Sequence, residues 1–226
     1  MRELAGFDTE TTGVSWQADR VVTAALVRRH ADGGEETRTW LINPGIEIPE
    51  RAAAIHGITT EMARERGAPP EVALEEVAAA LAACLAAGVP VLAFNAPFDL
   101  RILDADLRRH ELPTLAERLG RPVGPVIDPL LIDRAVARYR PGKRKLVDLM
   151  AVYGIPHSES LHDALEDVRQ SIAVFDAIER RFAEIASLDA FALHAWQAPR
   201  HRAWAESFNE WLASKGRVPD ADPAWP

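Results

Sequence analysis

Four acidic residues and one histidine, far apart in the chain, are the side chains best suited to chemistry. They are Asp8 and Glu10 in FDTET, Asp99 in FNAPFD, and His162 and Asp167 in HDALED. Each acid lies beside a predicted strand end or helix start, and such elements can converge in a folded domain. Carboxylates in contact would repel each other by roughly 4 kcal/mol per pair at an effective dielectric constant of about 20. Divalent cations such as Mg²⁺ and Mn²⁺ prefer oxygen ligands, so the set indicates a metal-dependent site.

The first two motifs indicate where three of these carboxylates lie on their strand and helix. Asp8 and Glu10 are two residues apart, so in an extended chain they project from the same face and suit a shared cation. The alternative is a solvated polar turn. Asp99 is predicted in the first turn of a helix that opens at Pro97, where an acid also complements the helix dipole without any further role.

The HDALED motif predicts a helix start with a histidine in front of it. His162 and Asp167 are five residues apart, which is about 140° around a helix, so His162 is expected on the entry loop. Asp163 and Glu166 form a capping-box pattern. Asp167 borders the apolar face of the helix and is expected to point inward. The alternative for His162 is an ordinary surface-loop histidine.

The elements around these motifs predict one mixed α/β unit. Alternating apolar runs and the DGG turn predict a β-meander, after which helices alternate with short strands. That order implies a mixed sheet with helices packed on its faces. Strands are predicted over residues 3–8, 20–29, 37–42 and 90–95, and helices over 71–87, 97–110 and 163–184.

Composition narrows the class of protein. The chain has 226 residues, a formal net charge of −8 and a pI near 5.4, which argues against a protein that coats nucleic acid non-specifically. The single cysteine, Cys84, rules out an internal disulfide. We see no signal peptide and no apolar stretch long enough for a membrane span, so a cytoplasmic protein is expected.

Taken together, the motifs resemble the DEDD family of 3′→5′ exonucleases, in the subgroup that carries a histidine (DEDDh). The proofreading epsilon subunit of bacterial DNA polymerase III belongs to this family. The resemblance runs from about residue 3 to residue 182 and includes AAAIHGIT at 52–59 and the VIDPLLIDRA segment. One departure is Phe94, which stands before Asn95 where many members have a histidine.

The resemblance implies a fold, cofactors and roles. The fold would be ribonuclease-H-like, with a mixed, mostly parallel five-stranded sheet flanked by helices. Two divalent cations, Mg²⁺ or Mn²⁺, would be held by Asp8, Glu10 and Asp167 directly and by Asp99 directly or through water. His162 would be the general base for the attacking water, and an unperturbed histidine pKa near 6.5 suits that role.

Further residues are predicted to contact the substrate. His56 corresponds to a stretch that approaches the terminal nucleotide in relatives, although it could instead be a loop histidine that caps the next helix. Thr9 could offer backbone groups to the 3′ end, and Asn95 could hydrogen-bond the strand. The basic run at 138–145, with Arg140 and Lys143, is predicted to guide single-stranded substrate; the alternative is a solvated loop.

Other regions are predicted to be structural. Residues 1–186 form the predicted exonuclease domain, and residues 187–226 a Trp-rich helical C-terminal extension that packs on it. Docking of a partner such as a polymerase is the alternative for that extension. Asp128 is expected to be structural or to support the site from behind, and Asp133 to be a surface acid on a helix.

The sequence therefore predicts a metal-dependent 3′→5′ exonuclease that acts on single-stranded DNA ends and releases nucleoside 5′-monophosphates. The alternatives are an exoribonuclease or oligonucleotide-trimming enzyme of the same family, a non-catalytic module that binds nucleic acid or a polymerase, and a different two-metal phosphoesterase on the same fold. Contacts to the 2′-hydroxyl, which would separate DNA from RNA, are not visible in the sequence.

Overall fold

A computed structural model describes residues 1–156 and 163–225 of the chain. Its centre is a five-stranded sheet in the order β3-β2-β1-β4-β5. The strands are β1 (Leu4–Thr11), β2 (Val21–Arg29), β3 (Glu35–Leu41), β4 (Val91–Leu92) and β5 (Val126–Ile127). The helices are α1 (Glu50–His56), α2 (Thr60–Arg66), α3 (Pro70–Ala86), α4 (Ala96–Arg109), α5 (Leu115–Leu119), α6 (Pro129–Val136), α7 (Leu146–Tyr153), α8 (Ala164–Arg181), α9 (Ala183–Ala186) and α10 (Ala190–Ser214).

The sheet is mixed, and four of its five strands share one direction. β2 pairs antiparallel with both β1 and β3, whereas β1 pairs parallel with β4, and β4 pairs parallel with β5. Among the described strands, β2 therefore runs against the other four. The predicted mixed, mostly parallel sheet with flanking helices is confirmed.

β1 lies at the centre of the sheet and is covered on both faces. Ala5 and Phe7 pack into a core with α3 and α4 on one face. On the other face, α8 lies across β1 and β2 and contributes Val168, Ile172 and Phe175 to a second core. This two-sided burial explains why the segment is almost continuously apolar until Asp8.

The strand boundaries differ from the predicted ones at the site. β1 continues three residues beyond the predicted end at residue 8, because Asp8, Thr9 and Glu10 pair with Ala25, Ala24 and Thr23 of β2. The chain leaves the regular ladder only at a register shift between Glu10 and Thr11. The acids of FDTET are thus held within the paired centre of the sheet.

The C-terminal helix α10 packs against β5 and α6. Its buried residues include Leu193, Gln197, His201 and Ala205, which are spaced by four and follow one face, and Leu212 near its end. This packing agrees with the predicted helical extension, while the domain boundary at residue 186 stays a prediction. No helix in the described part of the chain is long and apolar enough to cross a bilayer.

Candidate active site

The site begins with a glycine that lets a helix approach the central strand. Gly6, Asp8 and Glu10 alternate along β1 and therefore share the face that α8 covers. A Cβ at Gly6 would lie only 2.5 Å from Val168 Cγ1 and 2.8 Å from Ile172 Cδ1. The absence of a side chain at Gly6 thus brings the start of α8 against the strand. A glycine inside a strand can signal such a close approach, and this signal was missed in the sequence.

Three carboxylates meet beside this contact. Asp8, Glu10 and Asp167 each offer an oxygen, and these oxygens all lie within 4.8 Å of one another. Asp167 reaches the strand because it directly precedes Val168 on α8. The convergence expected for these three residues is therefore present.

Asp99 lies beside the cluster and is bound to β1 through Thr9. Its Oδ1 accepts hydrogen bonds from the Thr9 backbone N–H (3.1 Å) and from the Thr9 hydroxyl (2.7 Å). Thr9 stands between Asp8 and Glu10, so these bonds tie α4 to the acidic end of the strand. They also engage the Thr9 N–H, so a substrate contact by Thr9 would have to use other atoms. A direct or water-mediated role for Asp99 at a cation stays a prediction.

Asp128 orients the start of α4. Its carboxylate accepts hydrogen bonds from the backbone N–H groups of Asn95 (3.1 Å) and Ala96 (3.2 Å), and also from Leu130 (2.9 Å) at the start of α6. Asn95 adopts a left-handed conformation with φ 66°, which Asn tolerates better than most residues. Its side chain is exposed at the N-terminus of α4, a position compatible with the predicted substrate contact. The structural role predicted for Asp128 agrees with these bonds.

The electrostatics of the cluster are unfavourable in the metal-free protein. Burial, followed by repulsion from Asp99, Glu10 and Asp167, raises the pKa of Asp8 well above its usual range. Burial and then repulsion from Asp167 and Asp99 raise the pKa of Glu10 to about 8. For Asp99, burial raises the pKa to about 7 although the bonds from Thr9 act in the opposite direction. Carboxyl groups in this state retain protons at neutral pH unless a cation compensates them.

The residues present fit a divalent cation. The donors are carboxylate oxygens, which hard cations such as Mg²⁺ and Mn²⁺ prefer. Asp8, Glu10 and Asp167 are close enough to share one ion, and Asp99 is near enough to raise the pKa of Asp8. The identity and number of the ions stay predictions.

His56 lies next to Glu10, whereas His162 lies outside the described residues. His56 ends α1 and lines two cavities, of about 380 and 530 Å³, that Glu10 also borders. Its Nδ1 accepts from the Ile58 N–H at 3.2 Å, and burial lowers its pKa. This placement is compatible with the predicted contact to a terminal nucleotide. The general-base role of His162 stays a prediction.

The basic loop at 138–145 is organised around a buried acid. Asp133 is fully buried, so its predicted exposure on the helix surface was wrong. Its carboxylate pairs with Arg140 Nη2 and Arg144 Nε, each at 2.9 Å, and accepts from the Tyr153 hydroxyl at 2.9 Å. The guanidinium group of Arg140 is thus partly engaged in an ion pair within the protein. Lys143 is exposed, and the substrate roles of both residues stay predictions.

Acids from β1, α4 and α8 at one end of the central strand, on a sheet of this order, define a ribonuclease-H-like nuclease fold with a carboxylate site. The model of the RNase_T exonuclease family matches residues 5–175. The chain therefore belongs to this exonuclease family.

Two relatives in sequence are consistent with this family. A DNA polymerase III subunit epsilon-like protein of Rhodobacter capsulatus is 37% identical over 136 residues, which is 58% of this chain and 17% of that protein. A PolC-type DNA polymerase III of Streptococcus thermophilus is 31% identical over 125 residues, 55% of this chain and 8% of that protein. The chain thus spans less than a fifth of these two relatives.

Solved structures share the fold. An exonuclease I from Methylocaldum szegediense is 25% identical, with a TM-score of 0.65 over 82% of this chain and 42% of that one. The E. coli ExoI–ssDNA complex in its zinc-bound form is 22% identical, with a TM-score of 0.70 over 89% of this chain and 44% of that one. The similarity covers the sheet and its flanking helices and extends beyond the range of the family model.

Proposed function

We propose that the protein is a metal-dependent 3′→5′ exonuclease that hydrolyses the terminal phosphodiester of single-stranded DNA and releases nucleoside 5′-monophosphates. The observation that carries the proposal is the cluster of Asp8, Glu10 and Asp167 oxygens within 4.8 Å of one another, with Asp99 beside it. Membership of the exonuclease family supports the reaction, and the single-stranded DNA in the complex of the E. coli structural relative supports the substrate.

The chain's own residues have separable tasks in this reaction. Asp8, Glu10 and Asp167 hold the cations, and Asp99 completes the set directly or through water. When bound, a pair of divalent cations supplies an activated water and stabilises the attacking and leaving oxygens. On the family pattern, His162 accepts the proton of the attacking water.

The cavity between β1 and α1 suits the terminal nucleoside. It has a volume of about 380 Å³, and Ile55, Phe98 and His56 line it beside Glu10. Apolar and aromatic walls favour a nucleobase or sugar, and Glu10 belongs to the carboxylate cluster that would hold the cations. This position supports the predicted role of His56 as a substrate contact.

The choice between DNA and RNA is tested on one gel. Matched 5′-labelled DNA and RNA strands are incubated with Mg²⁺ or Mn²⁺, and the products are resolved by length. We expect a ladder that shortens from the 3′ end and is stronger for DNA. Faster digestion of RNA would assign the exoribonuclease alternative. Failure on every 3′ end with both ions would assign the non-catalytic alternative, and cleavage of a circular strand would assign an endonuclease.

The cation ligands are tested by one matched pair of variants. Asp8→Asn is expected to abolish turnover, because it removes a charged ligand from the cluster. Asp220→Asn removes the same charge from an exposed residue near the C-terminus and serves as the control. Equal activity of the two variants would show that Asp8 is not a cation ligand.

His162 is tested by separating chemistry from cation binding. His162→Ala is expected to lower kcat by roughly 10²–10⁴-fold, the usual contribution of a general base, with little change in Mn²⁺ affinity. His110→Ala, a half-buried histidine at the end of α4, is the control. A kcat within about twofold of wild type would reject the general-base role.

A DNA polymerase is the protein partner that we propose, because the sequence relatives include a polymerase III epsilon-like protein and a PolC-type polymerase. Trp211 on α10 has 47% of its surface exposed and offers an apolar contact. Trp211→Ala should weaken co-purification with a polymerase subunit without loss of nuclease activity. Unchanged co-purification would reject this surface.

A further inference from the structure

A basic pocket lies between α6 and α10, outside the candidate active site. Four arginines line it, together with Trp204 and Ser207, and its volume is about 390 Å³. We call this the arginine pocket; its arginines are Arg134, Arg138, Arg144 and Arg200. Among the described residues, no acidic side chain lines it. In a chain with a net charge of −8, such a concentration of guanidinium groups needs a physical explanation.

Arg134 is the central cation of the pocket. It is half-buried, and its guanidinium carbon lies 4.1 Å from the centroid of the Trp204 ring. Within 1–156 and 163–225, no carboxylate lies within ion-pair distance of Arg134, and its guanidinium makes no hydrogen bond. Burial lowers the pKa of Arg134, an effect that the charge of Asp128 opposes and that of the nearby Arg144 reinforces. A partly buried cation without a direct ion pair would be stabilised further by a bound anion.

The neighbouring arginines add to the positive field rather than neutralise it. Arg144 shares the buried Asp133 with Arg140, so one carboxylate serves two guanidinium groups. Arg200 lies over Trp196 at 3.7 Å and donates to the Trp196 carbonyl, and Arg138 is exposed. Planar guanidinium groups match phosphate oxygens in a fork geometry better than any other side chain does.

Helix α6 links the arginine pocket to the support of the candidate active site. Helix α6 begins directly after Asp128, which holds the N-terminus of α4 and thereby Asp99. The pocket follows α6 from Leu131 to Ala135 and includes Arg138, which lies two residues beyond the end of the helix. The arginine pocket thus lies along a helix that begins beside the residue supporting α4.

We propose that the arginine pocket binds a phosphodiester of the single strand on the 5′ side of the nucleotide being removed. This inference rests on the proposed function, and it assigns the strand a contact outside the cleft. The pocket compensates for the acidity of the protein at the one place where a polyanion must be retained. The aromatic residues beside it form a stacked row, with Trp204 and Phe208 centroids 5.4 Å apart.

The test compares two double variants of equal charge. Arg138→Ala with Arg200→Ala removes two exposed arginines of the pocket; Arg180→Ala with Arg217→Ala removes two exposed arginines elsewhere. Binding of a fluorescent oligothymidylate of about twelve nucleotides, within the usual range of site sizes, is followed by anisotropy in EDTA at several salt concentrations. The pocket variant should bind about tenfold more weakly, and its salt slope should fall by about 0.7, the value for one lost phosphate contact.

Three outcomes decide the proposal. A weaker affinity and a smaller salt slope in the pocket variant alone support it, whereas identical behaviour of the two double variants overturns it. Quenching of Trp fluorescence by pyrophosphate, lost in the pocket variant while strand binding is unchanged, assigns a free phosphate ligand and also overturns it. Wild-type protein that binds the strand but cleaves none would reject the proposed exonuclease function and leave the pocket proposal standing.

Discussion

At the scale of single residues, the carboxylates of the candidate site repel one another, and a bound cation is needed to balance their charge. The side chains of Asp8, Glu10 and Asp167 meet where β1 contacts α8, and Asp99 adds a further negative charge from α4. Two bonds from Thr9 to Asp99 only partly offset this repulsion. This repulsion therefore destabilises the metal-free folded protein, and a bound cation would reduce it.

Burial of these carboxyl groups, together with their repulsion, predicts an unusual dependence of stability on pH. The pKa of Glu10 is raised to about 8 and that of Asp99 to about 7, while carboxyl groups in an unfolded chain titrate near 4. The folded protein thus binds more protons than the unfolded one, and its stability falls as pH rises through this range. A pKa that differs by one between the folded and unfolded states corresponds to about 1.4 kcal/mol, so the fall should reach a few kcal/mol.

Thermal melts in EDTA between about pH 7.5 and 8.5 measure the effect, since ordinary histidines are then largely neutral in both states. Burial lowers the pKa values of His194 and His201, which therefore contribute little in this window. We expect Tm to decrease with pH in EDTA, and the decrease to vanish with Mn²⁺ and to be smaller in Glu10→Gln. A Tm that stays constant in EDTA would show that the pKa values of these carboxyl groups are not raised in the folded protein.

Sequence patterns predicted the acids of the site but not the surroundings of every charge. Spacing by two residues places Asp8 and Glu10 on one face of a strand in any fold. The burial of Asp133 could not be foreseen in this way, because its partners lie 7, 11 and 20 residues further along the chain. Only the packing of the loop and of α7 brings Arg140, Arg144 and Tyr153 to that carboxylate.

At the scale of elements, the contact between β1 and α8 sets the distance between the ligands. The amphipathic pattern predicted α8 and its apolar face, but not how closely that face approaches the sheet. Gly6 sets the separation near the cluster, and Arg29 anchors the same helix two turns later through bonds of 2.7 and 2.9 Å to Asp176. Asp167 is therefore positioned by residues that take no part in the proposed reaction.

Gly6→Ala tests this control of distance. The added Cβ would meet Val168 Cγ1 at 2.5 Å, so α8 must move or the side chains must repack. Overpacking of this kind costs about 1–3 kcal/mol, and we expect in addition a weaker affinity for Mn²⁺ as Asp167 moves away from Asp8. Chemical denaturation and Mn²⁺ titration measure the two effects separately.

The double variant Gly6→Ala with Val168→Ala is the matched control. Because Val168 supplies the nearest clashing atom, its truncation should restore part of the stability and of the Mn²⁺ affinity, a coupling expected of residues in contact. Additive losses in the double variant would mean that the contact between Gly6 and Val168 does not set the position of α8.

At the scale of the whole molecule, α10 completes the edge of the sheet. β5 is an edge strand of two residues, and the buried side chain of Gln197 pairs with it as a neighbouring strand would. Gln197 Nε2 donates to the Val126 carbonyl at 2.8 Å, and Gln197 Oε1 accepts from the Asp128 N–H at 2.8 Å. Asp128 in turn holds the start of α4, so the C-terminal helix supports the candidate site through β5.

The sequence predicted a C-terminal helix that packs on the domain, but it did not identify Gln197 and His201 as contact residues. The helix carries a stripe of Trp204, Phe208, Trp211 and Leu212, of which Leu212 is buried and Trp211 is exposed, and its buried residues also include Gln197 and His201. Hydrophobic periodicity could not identify a buried glutamine, because its burial depends on two backbone groups at β5. The polar partners explain why this face is not uniformly apolar.

Gln197→Leu tests the support from α10. Leucine preserves the bulk but leaves the Val126 carbonyl and the Asp128 N–H without their buried partners, at a cost of about 1–3 kcal/mol each. We expect a fall in unfolding free energy of about 2–5 kcal/mol and a loss of nuclease activity below the melting temperature, because Asp128 and the start of α4 lose their fixed position. Gln17→Leu, an exposed glutamine, should change neither quantity. Wild-type stability in Gln197→Leu would mean that α10 covers β5 without stabilising it through Gln197. A loss of stability with full activity would mean that the C-terminal helix does not help to position Asp99.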